Sequence, residues 1–142
     1  MTMPRRPPTT KRNEPARGPA TAGTILFADD EKTIRAVGKK MLEQAGFTVL
    51  TAADGRAALD VFREHAADIV CVILDLTMPR MDGEETFREL RRIDKDVRVI
   101  MSSGYNEQEI TQRFAGKGLA GFIQKPYQSH ELTEKLMQVL EG

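Results

Sequence analysis

Two kinds of hydrophobic pattern alternate along residues 23–140. Short, continuously apolar runs such as TILFA (24–28) and IVCVIL (69–74) read as strands buried on both faces. Longer stretches with apolar residues three or four apart read as amphipathic helices. The first helix is expected over 31–45, with Ile34, Val37, Met41, Leu42 and Ala45 on its apolar side and Gly46 stopping it. A second strand follows at 47–51 (FTVLT). Asp54 caps a second helix that runs to Ala66 with Val61 and Phe62 facing inward. After the strand at 69–74, Asp82 caps a third helix, with Glu85 completing a capping box and Phe87 and Leu90 as its apolar side. Strand four is VRVIMS (97–102), and Asn106 with Glu109 opens helix four. Strand five is AGFIQ (120–124), and the last helix carries Leu132, Leu136, Val139 and Leu140.

Strict strand–helix alternation implies a parallel sheet covered on both faces. Five such units predict an α/β fold of the flavodoxin-like kind, a (βα)5 doubly wound parallel sheet in the order 2-1-3-4-5. The run 69–74 is its candidate central strand. In this order the chain reverses direction between strands 1 and 3, and ligands sit outside the carboxyl ends of those strands.

That placement changes how the polar residues read. Strand 1 ends in Asp29-Asp30, strand 3 in Asp75, strand 4 in Ser102-Ser103 and strand 5 in Lys125-Pro126. Three carboxylates meeting in one crevice repel one another and raise each other's pKa. A cation resolves this, and an all-oxygen donor set favours a hard ion such as magnesium over zinc. His65 and His130 are expected on helices, as surface residues away from this edge. The loop ADDEKT after strand 1 has no glycine, which argues against a flavin or nucleotide cradle.

Composition narrows the setting. Hydrophobic residues make up 40%, enough for a core, and the formal net charge is zero, so no global field points to nucleic acid or membrane. The one cysteine, Cys71, lies inside an apolar run and reads as buried and inert. With no disulfide framework, no secretory signal and no apolar stretch near the roughly 18 residues of a membrane span, a soluble cytoplasmic protein is expected. Residues 1–22 differ: five basic residues against Glu14 alone, and five of the seven prolines. They are expected to form a disordered tail or linker.

Four blocks, ILFADDE, VILDLTMPRMDG, VIMSSGY and GFIQKPY, resemble in order the receiver domain of two-component response regulators, over residues 23–140. The resemblance implies that Asp75 accepts a phosphoryl group from a histidine kinase or phosphotransfer domain. It implies magnesium held directly by Asp30, Asp75 and the Thr77 backbone carbonyl, with Asp29 acting through water. Lys125 would pair with a phosphoryl oxygen, and Ser102 would hydrogen-bond the group once transferred. Phe122 matches the switch aromatic, and Pro126 is the candidate for a cis bond. Partners would be the kinase or phosphotransfer domain and a downstream output protein or parent-chain kinase domains. Neither nucleic acid nor membrane is expected for this domain. The family module is not a conventional enzyme; it catalyses its own phosphorylation and dephosphorylation.

Departures from the pattern are Ser102, where threonine is more usual, and Phe122, where tyrosine is frequent. The run SSGYNE resembles receivers at the C-terminus of hybrid histidine kinases, so the chain reads as a stand-alone regulator or as a receiver from a longer protein. A phosphatase of the haloacid dehalogenase type would need an acid two residues after the nucleophile, where Thr77 stands. A scaffold pseudo-receiver is disfavoured by the intact Asp29, Asp30, Asp75 and Lys125.

Overall fold

A parallel sheet of five strands in the order β2-β1-β3-β4-β5 organises the chain, as the alternating pattern predicts. The computed structural model describes residues 22–141; the tail expected over 1–22 lies outside the described residues apart from Ala22. The strands are β1 (Thr24–Ala28), β2 (Thr48–Ala52), β3 (Ile69–Asp75), β4 (Val99–Ser103) and β5 (Gly121–Gln124). The helices are α1 (Lys32–Gln44), α2 (Gly55–His65), α3 (Gly83–Ile93), α4 (Glu107–Arg113) and α5 (Ser129–Glu141). Among the described residues, no helix is long and apolar enough to cross a membrane.

Each face of the sheet has its own core. Leu26, Val72, Leu74, Val99 and Met101 pack against Leu59 and Phe62 of α2, Phe87 and Leu90 of α3, and Ile110 of α4. Ile25, Phe27, Cys71, Ile73, Ile100 and Ile123 pack against Leu42 of α1 and Leu132, Leu136 and Val139 of α5. β3 is buried by both, which explains its unbroken apolar run.

The elements follow the expected pattern, with corrections at the α3 cap, on the inner face of α1 and at the starts of two strands. Asp54 and Asn106 cap α2 and α4, and Asn106 with Glu109 forms a full capping box. Asp82 accepts from the Glu85 backbone N–H at 2.9 Å, but no return bond from the Glu85 side chain forms, so the box at α3 is only half made. In α1 the buried positions are Gly38 and Leu42, while Val37 is 46% exposed and Ala45 is exposed. The reason is Gly38: a Cβ there would strike the Phe27 ring, so the helix presses its backbone onto β1 and turns Val37 outward. Strands β2 and β4 begin one and two residues later than the apolar pattern suggests. Phe47 and Val97 are buried as predicted but precede the ladder.

Candidate functional site

Successive strand residues point to opposite faces. Ile25 and Phe27, Cys71 and Ile73, Ile100, and Ile123 all face α1 and α5. One further step of two along each strand reaches Asp29, Asp75, Ser102 and Lys125. The sheet's own periodicity therefore delivers these four side chains to one face at its carboxyl edge. Asp75 stands directly opposite Ser102 in the β3–β4 ladder. Gly83 lets α3 start against the end of β3, because a Cβ there would lie 2.5 Å from the Asp75 carbonyl oxygen.

Lys125 bridges the acids. Its Nζ lies 2.8 Å from Asp29 Oδ2 and 3.3 Å from Asp75 Oδ1. Asp29 is buried and fully engaged: its Oδ1 accepts from the Glu31 N–H at 2.9 Å, and its carbonyl accepts from Arg35 at 2.8 Å. The Thr77 N–H donates to Asp75 Oδ1 at 3.3 Å, folding the loop after β3 back over the carboxylate. Asp30 is exposed, yet one carboxylate oxygen each from Asp29, Asp30 and Asp75 lie within 4.8 Å of one another.

The charges in this cluster do not balance. Burial first, then the neighbouring Asp29 charge, push Asp75 up to about 6, against the pull of Lys125 and the Thr77 N–H. Burial is the largest influence on Lys125 and works against its charge, but Asp29 and Asp75 hold its pKa above the ordinary value. One ammonium thus faces three carboxylates. This donor set, all hard oxygen with Asp30 open to solvent, fits a small divalent cation. Ser102 Oγ is buried and has no hydrogen-bond partner among the described residues.

Phe122 lies on the opposite face, half-buried beside Ile110 and Phe114 of the α4 side, opposite Met101 in the ladder. The Lys125-Pro126 bond is cis. Cys71 is buried, and burial pushes its thiol up to about 12, so it is unreactive. His65 is partly exposed at the end of α2 beside Glu64. His130 is exposed as expected, but it sits in the first turn of α5, five residues after Lys125. A helix following a strand begins at that strand's carboxyl end, so His130 is on the site's side of the molecule rather than away from it.

Two residues near the site escaped the sequence reading. Arg80, with φ of 66°, donates from Nε to Asp54 Oδ2 at 2.8 Å, tying the loop after β3 to the start of α2. Tyr127 continues the Ile123, Lys125 alternation and packs against the α1/α5 core. It lines a hollow of about 370 Å³ with Ile34, Val37, Met41 and Pro126.

A family model described as the response regulator receiver domain matches residues 25–137. The chain belongs to this family. The receiver is 33% identical over 131 residues to the sensor kinase CckA of Brucella abortus, covering 92% of this chain but 14% of that protein. It is 34% identical over 120 residues to the chemotaxis protein CheY of Bacillus subtilis, covering 84% of this chain and 98% of that protein. Among solved structures, a CheX-CheY-BeF3-Mg complex from Borrelia burgdorferi superposes with a TM-score of 0.79 at 31% identity, covering 84% of this chain and 90% of the other. The receiver thus matches both nearly the whole of one relative and a small part of another.

Proposed function

We propose that this receiver takes a phosphoryl group onto Asp75 from a phosphohistidine of a histidine kinase or phosphotransfer domain, with magnesium bound beside it. The observation that carries the reading is Asp75 itself: a buried carboxylate with a raised pKa, 3.3 Å from an ammonium and opposite an unpartnered hydroxyl. An Asp75 oxygen attacks phosphorus in line as the bond to the donor imidazole nitrogen breaks, and the imidazole leaves with the electron pair and takes up a proton. Lys125, already between Asp29 and Asp75, neutralises one phosphoryl oxygen, and the Ser102 hydroxyl donates to another. Magnesium held by Asp30, Asp75 and the Thr77 carbonyl, with Asp29 behind a water, would supply the remaining positive charge on the transferring group. Asp29 suits that outer role because both its oxygens are already hydrogen-bonded.

The engaged Ser102 hydroxyl would then bias Phe122 and the α4 side toward a second arrangement. The apolar hollow at α1 borders Lys125, so a donor helix lying there with an apolar stripe would reach Asp75. We place the receiver in the cytoplasm with that donor, as a signalling module that promotes its own phosphorylation rather than a conventional enzyme.

The test uses a small donor, acetyl phosphate or phosphoramidate, read by intact mass. One added phosphoryl group is expected with magnesium and none with a chelator. Asp75→Asn keeps the shape, removes the nucleophile and abolishes labelling. Labelling that persists in Asp75→Asn, or that maps to His65 or His130, overturns the assignment.

A further inference from the structure

A hollow of about 330 Å³ opens between α3 and the turn after α4. Arg88, Arg91, Arg92 and Lys117 line it with Glu84, over Phe87. Glu84 is already committed: its Oε1 accepts from Arg113 Nε at 3.0 Å and its Oε2 from Lys117 Nζ at 3.5 Å. Arg88 stands 4.0 Å from that carboxylate, and Arg92 lies 3.3 Å from Glu89. Arg91 has no carboxylate partner among the described residues. Its guanidinium lies over the Phe87 ring and reaches the Gly118 carbonyl at 3.5 Å. Gly118, with φ of 82°, leaves room for it, since a Cβ there would lie 2.9 Å from Arg91 Nη2. Five cations thus share two carboxylates. Residues 23–142 are net negative, because five bases and one acid precede them in a chain of zero formal charge. The positive hollow is therefore a local concentration of charge. Helix dipoles favour Arg91, Arg92 and Arg113 in the last turns of α3 and α4, but they do not bring Arg88 and Lys117 to the same hollow. Except for Phe87, every lining side chain is charged, yet the wall is mostly apolar. The wall is built from the aliphatic stems, with the charged heads at its rim.

We propose that this hollow docks an acidic segment of a partner protein. One or two apolar side chains of the segment fill the hollow, and its carboxylates meet the arginines around the rim. The size suits such an anchor, at the small end of the roughly 300–1,000 Å³ of ligand pockets. Arginine suits the rim, because its planar fork pairs with a carboxylate through two hydrogen bonds. Nucleic acid matches less well. Phe87 and Phe114 are buried and offer no face for base stacking, and Glu84 and Glu89 stand among the cations. Residues 1–22 of this chain match less well still, because they are net positive. The hollow lies on the α2, α3 and α4 side of the sheet, whereas the apolar hollow bordering Lys125 lies on the α1 and α5 side. Both can be filled at once, and docking here does not depend on Asp75 being the phosphoacceptor.

The probe is a fluorescein-labelled peptide with leucine and phenylalanine at its centre and glutamates on either side. Binding to the full chain is read by anisotropy, and the site by amide chemical shifts. Shifts are expected on α3 and the turn after α4, with affinity falling as salt is added. Arg88 and Arg92 have side chains 57% and 75% exposed, so they can be changed without opening the core. Arg88→Glu with Arg92→Glu should weaken binding about tenfold or more. Arg88→Gln with Arg92→Gln, which adds no repulsion, should weaken it about threefold at unchanged melting temperature. Serines in place of the central leucine and phenylalanine should weaken the peptide about tenfold. Absence of peptide binding overturns the proposal, as does unchanged affinity in both double variants or shifts centred on α1 and α5. An oligonucleotide of equal charge binding as tightly overturns it in favour of nucleic acid. A concentration-dependent dimer that Arg88→Glu with Arg92→Glu dissolves overturns it in favour of a second copy.

Discussion

The sheet face under α2, α3 and α4 and the face under α1 and α5 come from the same strands, yet only the second leads to the site. On the first face β1 and β3 end in apolar residues, Ala28 after Leu26 and Leu74 then Leu76 after Val72, while β4 follows Val99 and Met101 with Ser103, whose buried hydroxyl accepts locally from the Tyr105 N–H at 3.0 Å. On the second it ends in Asp29, Asp75 and Ser102, all buried. The first face carries the Phe87–Phe114 edge-to-face pair, with centroids 5.9 Å apart, and Arg91 stands 6.0 Å over the Phe87 ring. The second carries Asp29, Asp75 and Lys125 to its edge, where Asp30 joins them from the loop after β1, so three acids there face one lysine. One residue of strand register separates these outcomes. A sheet can thus hold stability and reactivity side by side, because the pleat keeps their side chains apart.

The largest test of that division is Phe87→Ala. Phe87 is 2% exposed and central to the first face. Truncation should cost about 3–5 kcal/mol in urea unfolding, since it removes buried area and leaves a cavity. The folded fraction should still label at Asp75 with a small donor. Loss of labelling in protein that remains folded would show that the two faces are not independent.

A middle-sized effect of opposite sign is expected from the site. Without magnesium, Asp75 holds a proton up to about 6, whereas the unfolded chain releases it near 3.8. A pKa raised on folding makes the native protein lose stability as pH rises between those values. Asp75→Asn should remove that loss. The variant should exceed the parent by about 1–3 kcal/mol at neutral pH, allowing for solvent screening. The gain should fade as pH falls through 6 toward 3.8. A gain independent of pH, or destabilisation at neutral pH, would contradict the charge imbalance inferred here. Magnesium should reverse the ranking, because it stabilises only a native state that can bind it.

Much of this was legible in the sequence because one signal was repeated. The 69–74 run, the alternating helices and the residues ending each strand all pointed to the same sheet order and the same edge. What the apolar spacing missed came from contacts between distant residues. Val37 fits a helical stripe, and only the approach of Gly38 to Phe27 turns it outward. Glu85 has the right spacing for a capping box, but spacing does not oblige its side chain to turn back. Tyr127 could have been found by carrying the period of two past Ile123 and Lys125. The Arg80–Asp54 pair spans 26 residues, and no local rule connects them.

That pair gives the smallest effect and the sharpest question about where the two faces join. Arg80 sits in a tight turn closed by the Met81 N–H donating to the Pro79 carbonyl at 2.7 Å. Its φ of 66° costs a non-glycine residue about 1 kcal/mol. The ion pair with Asp54 offsets part of this, but Arg80 has a side chain 66% exposed, so its contribution is about 1 kcal/mol at most. Arg80→Ala keeps the strained backbone and loses the pair, and should destabilise by up to about 1 kcal/mol. Arg80→Gly loses both and should fall within about 0.5 kcal/mol of the parent. Asp54 is held below its ordinary pKa first by the Ala57 N–H and then by Arg80. Its stabilisation is therefore present above the unfolded value and lost as pH falls through the lowered one. Arg80→Ala should shrink that acid-side loss without removing it, because the helix cap remains. If Arg80→Gly proves less stable than Arg80→Ala, the strain account is wrong. If either change moves magnesium affinity severalfold, the loop that carries Thr77 is set by this clamp rather than by β3 alone.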